Sequence, residues 1–154
     1  MRILNARHAV FSLLLIMLFA FGGCTIKLIS PYDETLDQGI TALQKNTESY
    51  LIGLESIDTF PTCSYKENMQ FYLDAKVELS SIKVRASAMP KNDLTVKQLD
   101  LLADSLDSLE ALQKLKDKKS ACLSKEEIKP LRDAFNISYT AILKLELAKK
   151  RGEE

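Results

Sequence analysis

The sequence predicts an all-α fold, an up-down-up-down four-helix bundle over residues 30–154. Three observations carry that prediction. From Ser30 onward, apolar residues recur at alternating steps of three and four in four stretches, the spacing that places them on one face of a helix. Helix-start signals precede each stretch. The breaks between stretches are short, which favours antiparallel neighbours. None of the four shows the sustained period-two alternation of a strand.

The first stretch shows Tyr32, Leu36, Ile40, Leu43, Thr47, Tyr50 and Leu54. Ser30 before Pro31 reads as its cap, because proline is preorganised for the first helical position, and Asp33 suits the positive end of the helix dipole. The second shows Met69, Tyr72, Ala75, Leu79, Ile82 and Ala86 behind Ser64 and Glu67. The third shows Leu99, Leu102, Leu106, Leu109 and Leu112 behind Thr95 and Gln98. The fourth shows Ile128, Leu131, Phe135, Ile142 and Leu145 behind Ser124 and Glu127. Each of these three pairs has the spacing of a capping box, in which two side chains satisfy each other's backbone donors. Leu94 with Leu99, and Leu123 with Ile128, add hydrophobic staples. Breaks are expected at 58–61, 89–93 and 118–123. Pro130 conflicts with the fourth stretch, because it removes a backbone hydrogen bond. Either that helix kinks there, or 124–129 is a separate turn and the long helix starts at Pro130.

Ahead of the bundle, Met1 to Gly23 carries Arg2 and Arg7 and no acidic residue. It runs apolar from Ala9 to Phe21 and closes on Gly22-Gly23-Cys24. A positive start, a short apolar core and small residues at a cleavage point describe a secretory signal peptide. A membrane-spanning helix is the poorer reading, since a span needs about 20 apolar residues. The small residues followed by Cys24 resemble the lipobox of bacterial lipoproteins. That resemblance implies acylation of Cys24, removal of residues 1–23 as a signal peptide, and a lipid-anchored tether at 24–29.

Several function classes are excluded by composition. The whole chain balances 21 basic against 21 acidic residues. The leader takes two arginines, which leaves 19 against 21 in the mature part. A generic nucleic-acid binder would be clearly basic, so no nucleic-acid partner is expected. The single histidine, His8, lies in the leader. The mature part therefore lacks the base of a Ser-His-Asp or Cys-His scheme and the histidine of common zinc sites. No Gly-rich phosphate loop is present, and no cofactor or metal is expected. Asp100, Asp104, Asp107 and Glu110 line one face of the third helix. A straight helix spreads such ligands along its length instead of wrapping them round one ion, so a solvated face is the expectation.

With Cys24 acylated, Cys63 and Cys122 remain, an even pair in an exported chain and so an expected disulfide. The bundle topology agrees, because it places the first and third loops at one end. The second loop, the chain start and the C-terminus share the other. The short tether holds this second end near the bilayer, and the disulfide end stands about 35 Å away. Lys149, Lys150 and Arg151 fall at the near end, either complementing the helix dipole or meeting anionic headgroups. Lys114, Lys116, Lys118, Lys119, Lys125 and Lys129 cluster at the far end, either as solubilising charge or as a contact for an acidic partner.

The stretch Ile26-Lys27-Leu28-Ile29-Ser30-Pro31-Tyr32-Asp33-Glu34, with Asp37, Thr41, Leu43-Gln44 and Glu48, resembles the mature N-terminus of a family of small bacterial lipoproteins without an established activity. The resemblance singles out Tyr32, Asp33, Glu34, Asp37 and Gln44 as candidate partner contacts, beside Lys118, Lys119 and Lys125 of the far end. Thr25 after the cysteine, where an aspartate would retain a Gram-negative lipoprotein in the inner membrane, implies the periplasmic leaflet of the outer membrane. The leading expectation is a non-catalytic interaction or scaffold module on the membrane, facing a periplasmic protein or an envelope polymer. The alternative is a carrier of a small hydrophobic ligand or lipid, with a pocket between helices.

Overall fold

A computed structural model describes residues 29–152. Four helices follow in order: α1 Glu34–Ser56, α2 Tyr65–Ser87, α3 Asp93–Asp117 and α4 Lys125–Arg151. No strand occurs among the described residues. Each helix packs on its neighbours in sequence, and α4 closes the square on α1. Ser30, Asn92 and Lys149 meet at one end, and Cys63 bonds Cys122 at the other. Chain direction therefore alternates, and the fold is the expected up-down-up-down bundle. The leader at 1–23, Cys24 and the tether up to residue 28 lie outside the described residues. Among the described residues no helix is long and apolar enough to cross a membrane.

The apolar stripes turn inward. Leu36, Ile40, Leu43 and Leu51 from α1 pack with Leu99, Leu102, Leu106 and Leu109 from α3, all at 0 or 1% exposure. Tyr72, Ala75, Leu79 and Ile82 from α2, and Ile128, Phe135, Tyr139 and Ile142 from α4, complete the core. Each fully buried leucine of this kind contributes about 1.5–3 kcal/mol from apolar transfer. Met69 departs from the expectation. It lies on the outer face of α2, 43% exposed.

The helix starts differ from the sequence reading in two places. Ser30 does not cap α1; Asp33 does, accepting the Leu36 N–H at 2.7 Å. A carboxylate at that position also satisfies the helix dipole, and Ser30 is held elsewhere by Asn92. Thr95 does not cap α3 either. That helix starts at Asp93 after Asn92, and Thr95 falls on the inward stripe with Leu99 and Leu102. Leu94 is exposed, so its staple with Leu99 does not form. Ser64 caps α2 by accepting from the Glu67 N–H. Among the described residues, only Ser124 with Glu127 closes as a reciprocal box, and there the Leu123–Ile128 staple is buried as expected. α4 runs unbroken from Lys125 through Pro130. The lost N–H lies in the second turn, on the exposed side of the helix, where water can satisfy the Glu126 carbonyl.

Candidate functional site

The end at which the chain enters the bundle is built round a buried ion pair. Glu146 and Lys149 are 0% and 3% exposed. Lys149 Nζ donates to Glu146 Oε1 at 2.6 Å, to Asn92 Oδ1 at 2.6 Å and to Thr95 Oγ1 at 2.9 Å. Thr95 Oγ1 in turn donates to Glu146 Oε1 at 3.0 Å. The Asn92 carboxamide is oriented by its Nδ2 donating to the Ala86 carbonyl. Ser30 Oγ donates to Asn92 Oδ1 at 2.8 Å, and Ser30 N–H to the Lys91 carbonyl at 3.2 Å. Thus α3, α4, the second loop and the entering chain converge on one polar cluster. The sequence groups Lys149 with Lys150 and Arg151, as charge for the helix dipole or for anionic headgroups. The structure corrects that, for its ammonium is enclosed and fully engaged.

Three of the residues singled out by resemblance fasten the same end. Tyr32 donates to Asp37 Oδ2 at 2.7 Å, a bond that foremost pushes the phenol up to about 12. Lys150 lies over the Tyr32 ring, 5.1 Å from its centroid. Arg85 of α2 donates through Nε and Nη2 to the two Asp33 oxygens, both at 2.7 Å. That fork is the leading reason the Asp33 carboxyl is held below its ordinary value. Glu34 is exposed and accepts from Gln38. Gln44 lies farther along α1, half-buried.

The opposite end is joined by Cys63–Cys122, which bridges the first and third loops across 59 positions. Behind it, Gln113 Nε2 donates to the Cys63 carbonyl at 2.7 Å. Its Oε1 accepts from Tyr50 at 2.6 Å and from Tyr72. Burial pushes the Tyr50 phenol up to about 12, and Tyr72 upward as well. Asp117, the last residue of α3, accepts the Tyr65 N–H at the start of α2. Lys116 pairs with Glu127 at 2.6 Å, and Lys114 stands 4.4 Å over the Tyr65 ring. Lys118, Lys119, Lys125 and Lys129 are exposed at this end. Lys125 and Lys129 border a groove of about 340 Å³ with Glu55 and Arg132. Arg132 bridges Glu48 and Glu55, which raises its own pKa and lowers that of Glu48.

The acidic face of α3 has a structural role. Asp100 pairs with Lys83, Asp107 and Glu110 pair with Lys76, and Glu110 also pairs with Lys114. The pairs with Lys83 and Lys76 tie α3 to α2, and Lys114, one turn along α3, foremost draws the Glu110 carboxyl down to about 2. No metal-ligating cluster forms among the described residues. Ser105 and Ser108 donate to carbonyls one turn back, at Leu101 and Asp104. Tyr72 and Tyr139 are buried in the packed core, where Tyr139 pairs with Thr47 at 2.8 Å. The groove between α1 and α2, about 330 Å³ and bordered by Gly39, Val77 and Ile82, is open to solvent.

No family model, curated protein or solved structure matches the chain.

Proposed function

We propose that this protein is a non-catalytic lipoprotein of a bacterial cell envelope. Acylated Cys24 anchors it, and the bundle presents its disulfide-stapled end to an acidic periplasmic partner or an anionic envelope polymer. The observation that carries this reading is the fastening of the entering chain. Ser30, Tyr32 and Asp33 are each bonded onto one end of the bundle. A chain held this way ties residues 30–33 to the body of the bundle, only a few positions in sequence from Cys24. The exposed lysines at 118, 119, 125 and 129 stand at the other end, about 35 Å off for helices of this length.

A photocrosslinking side chain at position 121 in intact cells tests the reading. It is expected to give a discrete adduct that is lost in the Lys118→Glu/Lys119→Glu/Lys125→Glu variant. The same probe at position 147, near the anchored end, is expected to give lipid adducts. Adducts that are indifferent to the charge reversal would count against a distal acidic contact.

A further inference from the structure

The end of the bundle at which the chain enters carries an apolar lip. Ile29 and Leu94 are 45% and 57% exposed. Ala88 and Pro90, in the turn between α2 and α3, are exposed as well. The bond from the Ser30 N–H to the Lys91 carbonyl sets Ile29 beside that turn. Leu94 is the second residue of α3. Helix side chains tilt toward the N-terminus, so Leu94 leans outward past the start of its helix, away from the body of the bundle. Ala86 and Met89 of the same turn already pack on the core. The lip is thus the apolar surface of this end that the fold itself does not cover, and an apolar patch left at one end marks an interaction surface more than scattered exposed residues do.

Charge does not choose the occupant. Lys91, Lys97, Lys150 and Arg151 stand at this end with Glu34, Asp37 and Asp93. Asp33 pairs with Arg85, and Glu146 with Lys149, so little net charge remains. The position of the lip does choose. Five chain steps separate Cys24 from Ile29, a reach of about 18 Å at most, and Ser30 is bonded to the bundle at once after them. We propose that the lip seats in the headgroup layer of the phospholipid leaflet that holds Cys24; the inference rests on the lipid-anchored reading. An acylated Cys24 keeps this end within reach of the bilayer, and apolar faces of this kind settle about 5–10 Å into the boundary between headgroups and acyl chains. Ile29, Pro90 and Leu94 leave water there, while Lys91 and Lys150 keep their ammonium groups among the headgroups by extending their stems. The contact depends on apolar burial, so it needs no anionic lipid. It stands the bundle upright on the membrane, with the Cys63–Cys122 end turned away.

The test reconstitutes the full chain, as extracted from membranes, into phosphatidylcholine vesicles with Cys63–Cys122 kept closed. An environment-sensitive dye is placed on Ala88→Cys, Leu94→Cys or, at the far end, Lys118→Cys. The first two are expected to show blue-shifted emission that nitroxide-bearing lipids quench, and the third to emit as in water. Phosphatidylglycerol added to the vesicles should leave the shift unchanged; a shift that appears only with this anionic lipid would overturn the apolar lip. In Ile29→Asp/Leu94→Asp, altered only at exposed positions, a dye at position 88 is expected to lose its shift while the protein melts as the parent does. A shift that survives those two changes would overturn the proposal. Flotation of the same samples separates the two readings. A chain that floats with the vesicles while dyes at 88 and 94 emit as in water would remove the lip and leave the anchor. A chain that does not float would remove both.

Discussion

Lys149 Nζ lies 2.6 Å from Asn92 Oδ1, and the same oxygen accepts from Ser30 Oγ at 2.8 Å. One ammonium near the end of the last helix thereby fixes the residue through which the chain enters the bundle. Lys149→Met is expected to destabilise the fold by about 3–5 kcal/mol, since it leaves Glu146 as an uncompensated buried charge. Glu146→Leu/Lys149→Met should recover most of that, because a buried pair replaced by apolar groups is often neutral. Urea denaturation of the three proteins checks both statements.

The Cys63–Cys122 bond closes a loop of 59 positions. In the chain-entropy relation such a loop contributes about 4 kcal/mol, and measured values are often smaller. The Cys63→Ala/Cys122→Ala variant should lose stability within that bound while keeping its helical circular dichroism.

Glu110 is drawn down to about 2 by Lys114 and Lys76 from a usual value of 4.5. A depressed carboxylate stabilises the fold above its unfolded value, and that contribution is lost as pH falls through the folded one. The melting temperature should therefore drop between about pH 4.5 and 2. In Glu110→Gln that part of the decline should flatten, as followed by thermal melts across the range.

Gly53 sits inside α1, and a Cβ there would meet nothing within 4 Å. Gly53→Ala should stabilise the protein by about 0.5–1 kcal/mol through helix propensity alone. At Gly39 a Cβ would lie 3.1 Å from Ile82 Cγ1, so Gly39→Ala should gain less, or lose. Paired denaturant melts separate the two sites.

Leucine and isoleucine at steps of three and four made the four helices legible, and the loop order placed Cys63 beside Cys122. The buried polar clusters were not read from the sequence, although they carried a signal. Glu146 and Lys149 continue the inward series Phe135, Tyr139 and Ile142 at steps of four and three, and Gln113 continues Leu106 and Leu109. A polar residue in core register is a polar residue buried with a partner. The partners come from other helices, so the pairing itself required the fold. The false caps have a related cause. Ser30 and Thr95 have the right side chains, but Asn92 and Glu146 hold them, and spacing along one helix does not reveal that competition.

The lipid anchor is the central claim, and intact mass of the membrane-extracted protein, with and without reductant, tests it most directly. The expected result is the mass of residues 24–154 plus acyl groups, with two hydrogens gained on reduction of Cys63–Cys122. A mass that retains Met1 to Gly23 would contradict it.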